Sequence, residues 1–294
     1  MKTHSKTIWI LIAMSAFSFS LFSFFGQKQQ ENGKIIIHQN FESKYVNPRN
    51  VEVWLPPGYD PDLKYEVVYM HDGQNVFNAK TSYTGIAWEM DSTMIRLLKK
   101  NKIRPAIVVG IWNSPNRFRE YMPNEPSDEI YKRTKSLEGT PQILSDNYLS
   151  FIVKELKPFI DKNYSTRPDS RSTLIMGSSM GGLISLYALI KYPDVFGGAG
   201  CVSTHWPALD GVFIDYLDGN LPDPSTHKIY FDHGTVNLDS LYKPYQDRVD
   251  LIMEAAGFER GKNWVTIEFD GHDHNEAAWR ERLHVPVKFL LGIE

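Results

Sequence analysis

Few features of this sequence settle its character at a glance, and each scarcity excludes something. Of 294 residues only Cys201 is a cysteine, so no internal disulfide can staple the fold. Its setting, GGAGCVST, reads as a small buried residue in a core strand and not as a reactive thiol. No segment repeats at a fixed period, and no run is Pro-rich, Gly/Ser-rich or charged enough to be a linker. A single domain follows. Charge is nearly balanced, 32 Lys+Arg against 35 Asp+Glu for a net −3. Without a basic patch or interleaved basic and aromatic residues, nucleic acid is excluded as a partner. There is no H-E-x-x-H or comparable ligand pattern, which argues against a catalytic metal.

One long hydrophobic run is present, at the start. Lys2 and Lys6 precede an uncharged stretch from Ile8 to Phe25, after which Gly26–Gln30 turns abruptly polar. A basic flank, an apolar middle and a polar exit form the layout of a secretory signal. The stretch is long for a signal core and just reaches the length of a membrane span, but Ser15, Ser18, Ser20 and Ser23 weaken a permanent anchor. The sequence therefore predicts a cleaved signal over residues 1–26, with an uncleaved anchor as the alternative. A single domain over 27–294 then lies outside the cytoplasm, periplasmic or extracellular. Without residues 1–26 the chain has 30 basic and 35 acidic side chains, a net −5.

Beyond residue 50, apolar runs of strand length alternate with helical patterns. Val51–Leu55 stops at Pro56-Pro57-Gly58, Tyr65–Met70 leads into His71-Asp72-Gly73, and Ala106–Ile111 is apolar throughout, as a strand covered on both faces must be. Trp88–Lys99 and Ser145–Tyr164 have helical spacing, although Pro158 should kink or end the second. Strands follow at 173–176, 198–203, 228–231 and 264–269, with helices at 182–191, 242–256 and 276–291. This alternation predicts an α/β fold with a mostly parallel central sheet and helices on both faces, its first strands antiparallel. Trp88 and Trp112 sit in apolar-periodic segments and read as core aromatics.

Gly177-Ser178-Ser179-Met180-Gly181 lies between a strand and an apolar helix, and G-x-S-x-G gains meaning only in that setting. A strand that reverses into a helix within so few residues forces its central serine into a strained conformation, and side chains two residues either side would collide. The serine oxygen then rises at a helix N-terminus, where N–H groups favour developing negative charge. Ser179 is the candidate nucleophile; Ser178 lacks the flanking glycines. In an α/β-hydrolase the acid and then the histidine follow on loops after later strands. Asp232 and Asp239 both follow the 228–231 strand, and Asp239, further out, is the choice over a strand-end Asp232. His272 and His274 both follow the 264–269 strand. Either could serve as general base, and with His71, His205 and His233 either could be a metal ligand.

The segments YMHDGQNVF (69–77), IMGSSMGGLISLYALIKYPDVFG (175–197), FDHGTVNLDSLY (231–242) and GHDHNEAAWRERL (271–283) together resemble the putative-esterase family of α/β-hydrolases. That family holds feruloyl and acetyl-xylan esterases, enterochelin-type siderophore esterases, S-formylglutathione hydrolase and the mycolyltransferases. The resemblance runs from Val51 to Leu291, and its most specific segment is the second. Relatives place a tryptophan five residues after the catalytic histidine, which selects His274, five before Trp279, over His272. Many carry their acid as G-x-x-D, where this chain departs with Asn237; another branch reads G-T-x-x-L-D, which matches Asp239. The resemblance further implies an oxyanion hole from the backbone N–H groups of Met180 and Gln74.

The implied protein is a serine carboxylic ester hydrolase that works through an acyl-enzyme and needs no cofactor. An acyltransferase with a sugar alcohol in place of water, or a non-catalytic binding module, are the alternatives on the same fold. His205-Trp206, after the 198–203 strand, are expected to shape an acyl or sugar pocket. Export suggests an acylated oligosaccharide or siderophore-type ester as the small-molecule partner.

Overall fold

A computed structural model describes residues 31–135 and 142–293. The expected signal segment lies outside the described residues. Among the described residues eight strands form one sheet: β1 (Lys34–Phe41), β2 (Arg49–Leu55), β3 (Glu66–His71), β4 (Ala106–Ile111), β5 (Thr173–Ser178), β6 (Gly198–Val202), β7 (Lys228–Gly234) and β8 (Trp264–Phe269). Their spatial order is β1-β2-β4-β3-β5-β6-β7-β8. β1 and β2 pair antiparallel, as do β2 and β4, and every later pairing is parallel.

Continuous apolar runs make strands covered on both sides, because successive side chains serve opposite faces. In β3, Val67 and Tyr69 enter one core cluster while Val68 and Met70 enter the other. The first cluster is closed by α4 (Ser145–Phe151), α6 (Met180–Lys191), α7 (Val212–Leu217) and α8 (Lys243–Ala255). On the opposite face lie α1 (Met90–Lys99), α9 (Glu276–Arg282) and α10 (His284–Leu291). Cys201 is buried in β6. Trp88 packs in the core against Trp279, whereas Trp112 is only half-buried.

Three local patterns depart from expectation. Pro158 does not end its helix: α4 runs into a π-turn at Ile152–Leu156 and continues as α5 (Lys157–Asn163), placing the proline in a first turn. A wider turn accommodates a ring that lacks an N–H and would press on the preceding carbonyl. The expected closing helix is two, broken at Leu283 ahead of Pro286. β1 and the short helices α2 (Arg117–Tyr121), α3 (Ser127–Lys135) and α7 have no counterpart in the sequence pattern, because β1 is a mostly exposed edge strand and the helices span too few turns to show a period.

Sheet order fixes where a site can form. The strand sequence reverses between β3 and β5, so the loops leaving their C-terminal ends diverge and open a crevice. One of those loops carries Gln74 and the other carries Ser179.

Candidate active site

Ser179 stands between β5 and α6 at φ 59°, ψ −122°, a conformation that L-residues rarely hold. Its surroundings over-determine it. Its N–H donates to the Val202 carbonyl at 2.9 Å, and its own carbonyl accepts from Gly182 N at 3.0 Å and His205 N at 3.1 Å. A Cβ added at Gly177 would lie 3.1 Å from the Gly181 Cα, so these two glycines face each other across the elbow. Ser178 is buried, and Ser179 is half-exposed to the crevice.

That crevice encloses about 460 Å³, with Ser179, Gln74, Asn113, Arg117, His274 and Trp279 among its walls. The turn after β3 is locked from the β4 side. The Asp72 carboxylate receives Arg117 Nε and Nη2, each at 2.7 Å, and Asn113 Nδ2 at 2.6 Å. Burial alone would raise the Asp72 carboxyl; Arg117 and Asn113 hold it below its ordinary value. The Gln74 side chain accepts from the Asn113 N–H at 3.1 Å, which leaves the turn little freedom.

Asp239, buried in a tight turn after β7, places Oδ1 2.6 Å from His274 Nδ1. Its Oδ2 accepts from Ser203 Oγ at 2.6 Å and Gly234 N at 2.7 Å. Burial pushes this carboxyl up, but bonds from His274, Ser203 and Gly234 outweigh it and hold it below its usual range. Ser203 Oγ in turn accepts from Trp279 Nε1 at 3.0 Å and Arg282 Nη2 at 2.6 Å. Trp279 and Arg282, one turn apart on α9, thus dock that helix behind the acid. Trp279 also meets the His274 ring edge-on, with centroids 5.0 Å apart. The five-residue spacing from histidine to tryptophan therefore has a physical cause: it returns the indole beneath the imidazole.

The His274 backbone is fixed as well. Its N–H donates to Asp273 Oδ1 at 2.7 Å, and Asn237 Nδ2 donates to Asp273 Oδ2 at 2.9 Å. Asn237, at the G-x-x-D position, therefore ties the acid loop to the histidine loop. A Cβ at Gly234 would lie 2.0 Å from the His272 carbonyl oxygen, so only glycine allows the two loops this close.

The competing candidates are placed elsewhere. Asp232 is committed to structure, accepting from Ser203 N at 3.0 Å, Tyr230 Oη at 2.8 Å and Arg282 Nη2 at 3.1 Å. His272 packs on Phe269, and its carbonyl takes the N–H groups of Thr235 and Val236. Trp206 is a correction: it is 2% exposed and donates to Gln246 Oε1 at 2.8 Å, so it fills the core beneath the loop instead of lining the crevice. An apolar ring whose N–H finds a buried acceptor gains more from burial than from the rim. His205 lies between, 6.4 Å from His274 by ring centroids and bonded to Tyr242 Oη at 2.7 Å. Burial, then His274 and Arg117, bring its pKa down to about 4. Among the described residues no three His, Cys, Asp or Glu side chains converge as metal ligands would.

Sequence reasoning passed over Asp72, Asn113, Arg117, Ser203 and Arg282, along with Tyr83 and Glu276, which also line the crevice. Asp72, Glu276 and Arg282 lie inside the segments 69–77 and 271–283 that carry the family resemblance, but nothing in their spacing gives them a role, and Tyr83, Asn113, Arg117 and Ser203 lie outside those segments.

An eight-stranded, mostly parallel sheet with a strained serine elbow at its switch point defines an α/β-hydrolase. Within that class, the family described as "Putative esterase" matches residues 43–290, and this chain belongs to it. The chain is an esterase, acting on carboxylic esters. It is 27% identical over 256 residues to YbbA of Bacillus subtilis, covering 83% of this chain and 93% of that one. It is 29% identical over 154 residues to the ferri-bacillibactin esterase BesA of the same organism, covering half of each. In fold it is similar to a ferulic acid esterase, with TM-score 0.66 at 18% identity, covering 88% of this chain and 98% of that one.

Proposed function

We propose that Ser179, His274 and Asp239 act as a Ser-His-Asp triad that hydrolyses carboxylic esters through an acyl-enzyme. The observation that carries this reading is one crevice shared by a strained, half-exposed serine and a histidine whose Nδ1 lies 2.6 Å from a buried carboxylate. With Asp239 accepting from Nδ1–H, the other ring nitrogen, Nε2, is the basic one. Ser179 Oγ bonds to the ester carbonyl carbon as its proton passes to Nε2. The carbonyl π electrons move to oxygen, and the backbone N–H groups of Met180 and Gln74 receive that oxyanion. When the tetrahedral species collapses, the ester C–O bond breaks and the alcohol leaves with the imidazolium proton. Water, deprotonated by the same nitrogen, then attacks the acyl-enzyme, releasing the acid and restoring the serine. Each oxyanion donor is worth on the order of 3 kcal/mol, so locking the Gln74 turn through Asp72 and Arg117 has catalytic value.

The reading includes export. Residues 1–26 act as a signal, 27–294 form one catalytic domain, and the substrate is an acylated carbohydrate or siderophore-type ester met outside the cytoplasm. The esterase and ferulic acid esterase likenesses support an ester of that kind. The test is hydrolysis of a short aryl ester by the parent and by Ser179→Ala. Turnover should fall by about 10⁴-fold or more with folding unchanged. Equal activity in the two proteins removes the serine mechanism.

A further inference from the structure

Tyr83 is the most conspicuous side chain on the crevice that the proposed chemistry leaves unused. It is 91% exposed, more than any other large hydrophobic residue among those described, and it lines the crevice. The loop that carries it, however, is fastened at four points. The Tyr83 N–H donates to Asn75 Oδ1 at 3.0 Å, and Thr81 Oγ1 donates to the Gln74 carbonyl at 2.8 Å. Ser82 Oγ donates to the Ile86 carbonyl at 2.6 Å, and Thr84 Oγ1 to Glu276 Oε2 at 3.0 Å. A loose loop tip would expose an aromatic ring only in passing. Here the bonds at Thr81, Ser82, Tyr83 and Thr84 hold the loop against the crevice, so the ring is presented at its mouth in one place, where the flat apolar face of a ligand can cover it.

The pins also give the ring a side. Glu276, the acceptor for Thr84, is two residues beyond His274 and opens the helix that follows it. Asn75 Nδ2 reaches the other Glu276 oxygen at 3.4 Å, so the Tyr83 loop is tied to the wall of the crevice on which Glu276 follows His274. The general base passes its proton to the departing oxygen, so the leaving alcohol occupies the histidine side of such a site. The Glu276 carboxylate on that wall disfavours an alcohol carrying negative charge.

We propose that Tyr83 is a substrate-binding platform for the leaving alcohol, selecting esters whose alcohol portion is an uncharged ring with an apolar face, pyranose or aryl. This rests on the triad reading above for the direction of the leaving group. Stacking of this kind adds to area burial, and losing it should cost about five- to tenfold in binding.

The test uses the full chain and four acetyl or methyl esters: ethyl acetate, an acetylated methyl pyranoside, phenyl acetate, and the methyl ester of an aromatic acid. In Tyr83→Ala, kcat/KM for the two ring-alcohol acetates should fall about five- to tenfold relative to ethyl acetate, chiefly through KM. Tyr83→Phe should restore most of that ratio, because the ring and not the hydroxyl is the platform. A loss confined to the pyranoside or to phenyl acetate identifies which ring the site takes and supports the proposal. Three results overturn it: no change in the ratio, an equal loss on ethyl acetate, or a loss centred on the aromatic-acid methyl ester. Ser179→Ala, run alongside, separates failures. If it retains activity the triad reading fails, whereas a normal Ser179 effect with no Tyr83 effect removes only the platform.

Discussion

Replacing Asp239 by asparagine tests the site most sharply, because the surroundings dictate how the amide must sit. The native Oδ2 faces three donors: Ser203 Oγ at 2.6 Å, Gly234 N at 2.7 Å, and Arg282 Nη2 at 3.7 Å. An amide NH₂ at that position would meet N–H groups and a guanidinium. The asparagine must therefore turn its carbonyl oxygen toward them and its NH₂ toward His274 Nδ1. A donor against Nδ1 forces the ring proton onto Nε2, and an Nε2–H cannot take a proton from Ser179. A wrong tautomer costs a serine hydrolase about 10⁴ in kcat, or roughly 5 kcal/mol in the barrier. Stability should change far less, on the order of 1–2 kcal/mol, since the amide oxygen keeps its donors and Arg282 keeps Asp232. Initial rates on a short aryl ester, measured beside urea unfolding of the same preparation, separate the two effects. An Asp239→Asn enzyme within tenfold of the parent, with an intact fold, would refute the reasoning.

His274→Ala should lower kcat by at least about 10³ while His272→Ala costs less than about tenfold, because only His274 faces both crevice and carboxylate; steady-state kinetics with the reverse ranking would overturn the assignment. Stability should also fall in acid. Burial, against the pull of Asp72, lowers the His71 pKa to about 3 from 6.5, so the unfolded imidazole protonates at a pH where the folded one stays neutral. The stabilisation from neutral His71 is complete above about pH 6.5 and is lost as pH falls toward 3, at up to about 1.4 kcal/mol per unit. The lowered Asp239 carboxyl acts in the same direction, its contribution lost below the ordinary carboxylate range. Urea midpoints between pH 7.5 and 4 should therefore slope less steeply for His71→Asn than for the parent, and parallel slopes would refute the His71 contribution.

Features carried by local pattern are legible in the sequence itself. Strands Ala106–Ile111 and Trp264–Phe269 fall where their apolar runs begin and end. The elbow at Ser179 was legible because glycine pairing, strand and helix lie within one short window. Legibility failed where the cause is remote. Arg117 reaches Asp72 across 45 residues, and Arg282 reaches Asp232 across 50; neither distance leaves a period or a spacing in the chain. Trp206 was misplaced for a related reason, since its fate depends on Gln246 of α8 offering a buried acceptor to its N–H.

By itself, then, the sequence determined an α/β-hydrolase of the esterase family with a strand-to-helix elbow at Ser179, because hydrophobic period and turn chemistry are properties of adjacent residues. The sequence singled out Asp239 and His274, but their meeting depends on β7 and β8 lying side by side, which brings the two from separate loops to 2.6 Å. Contacts of that kind are fixed by strand order and loop closure, which no local stretch of chain encodes.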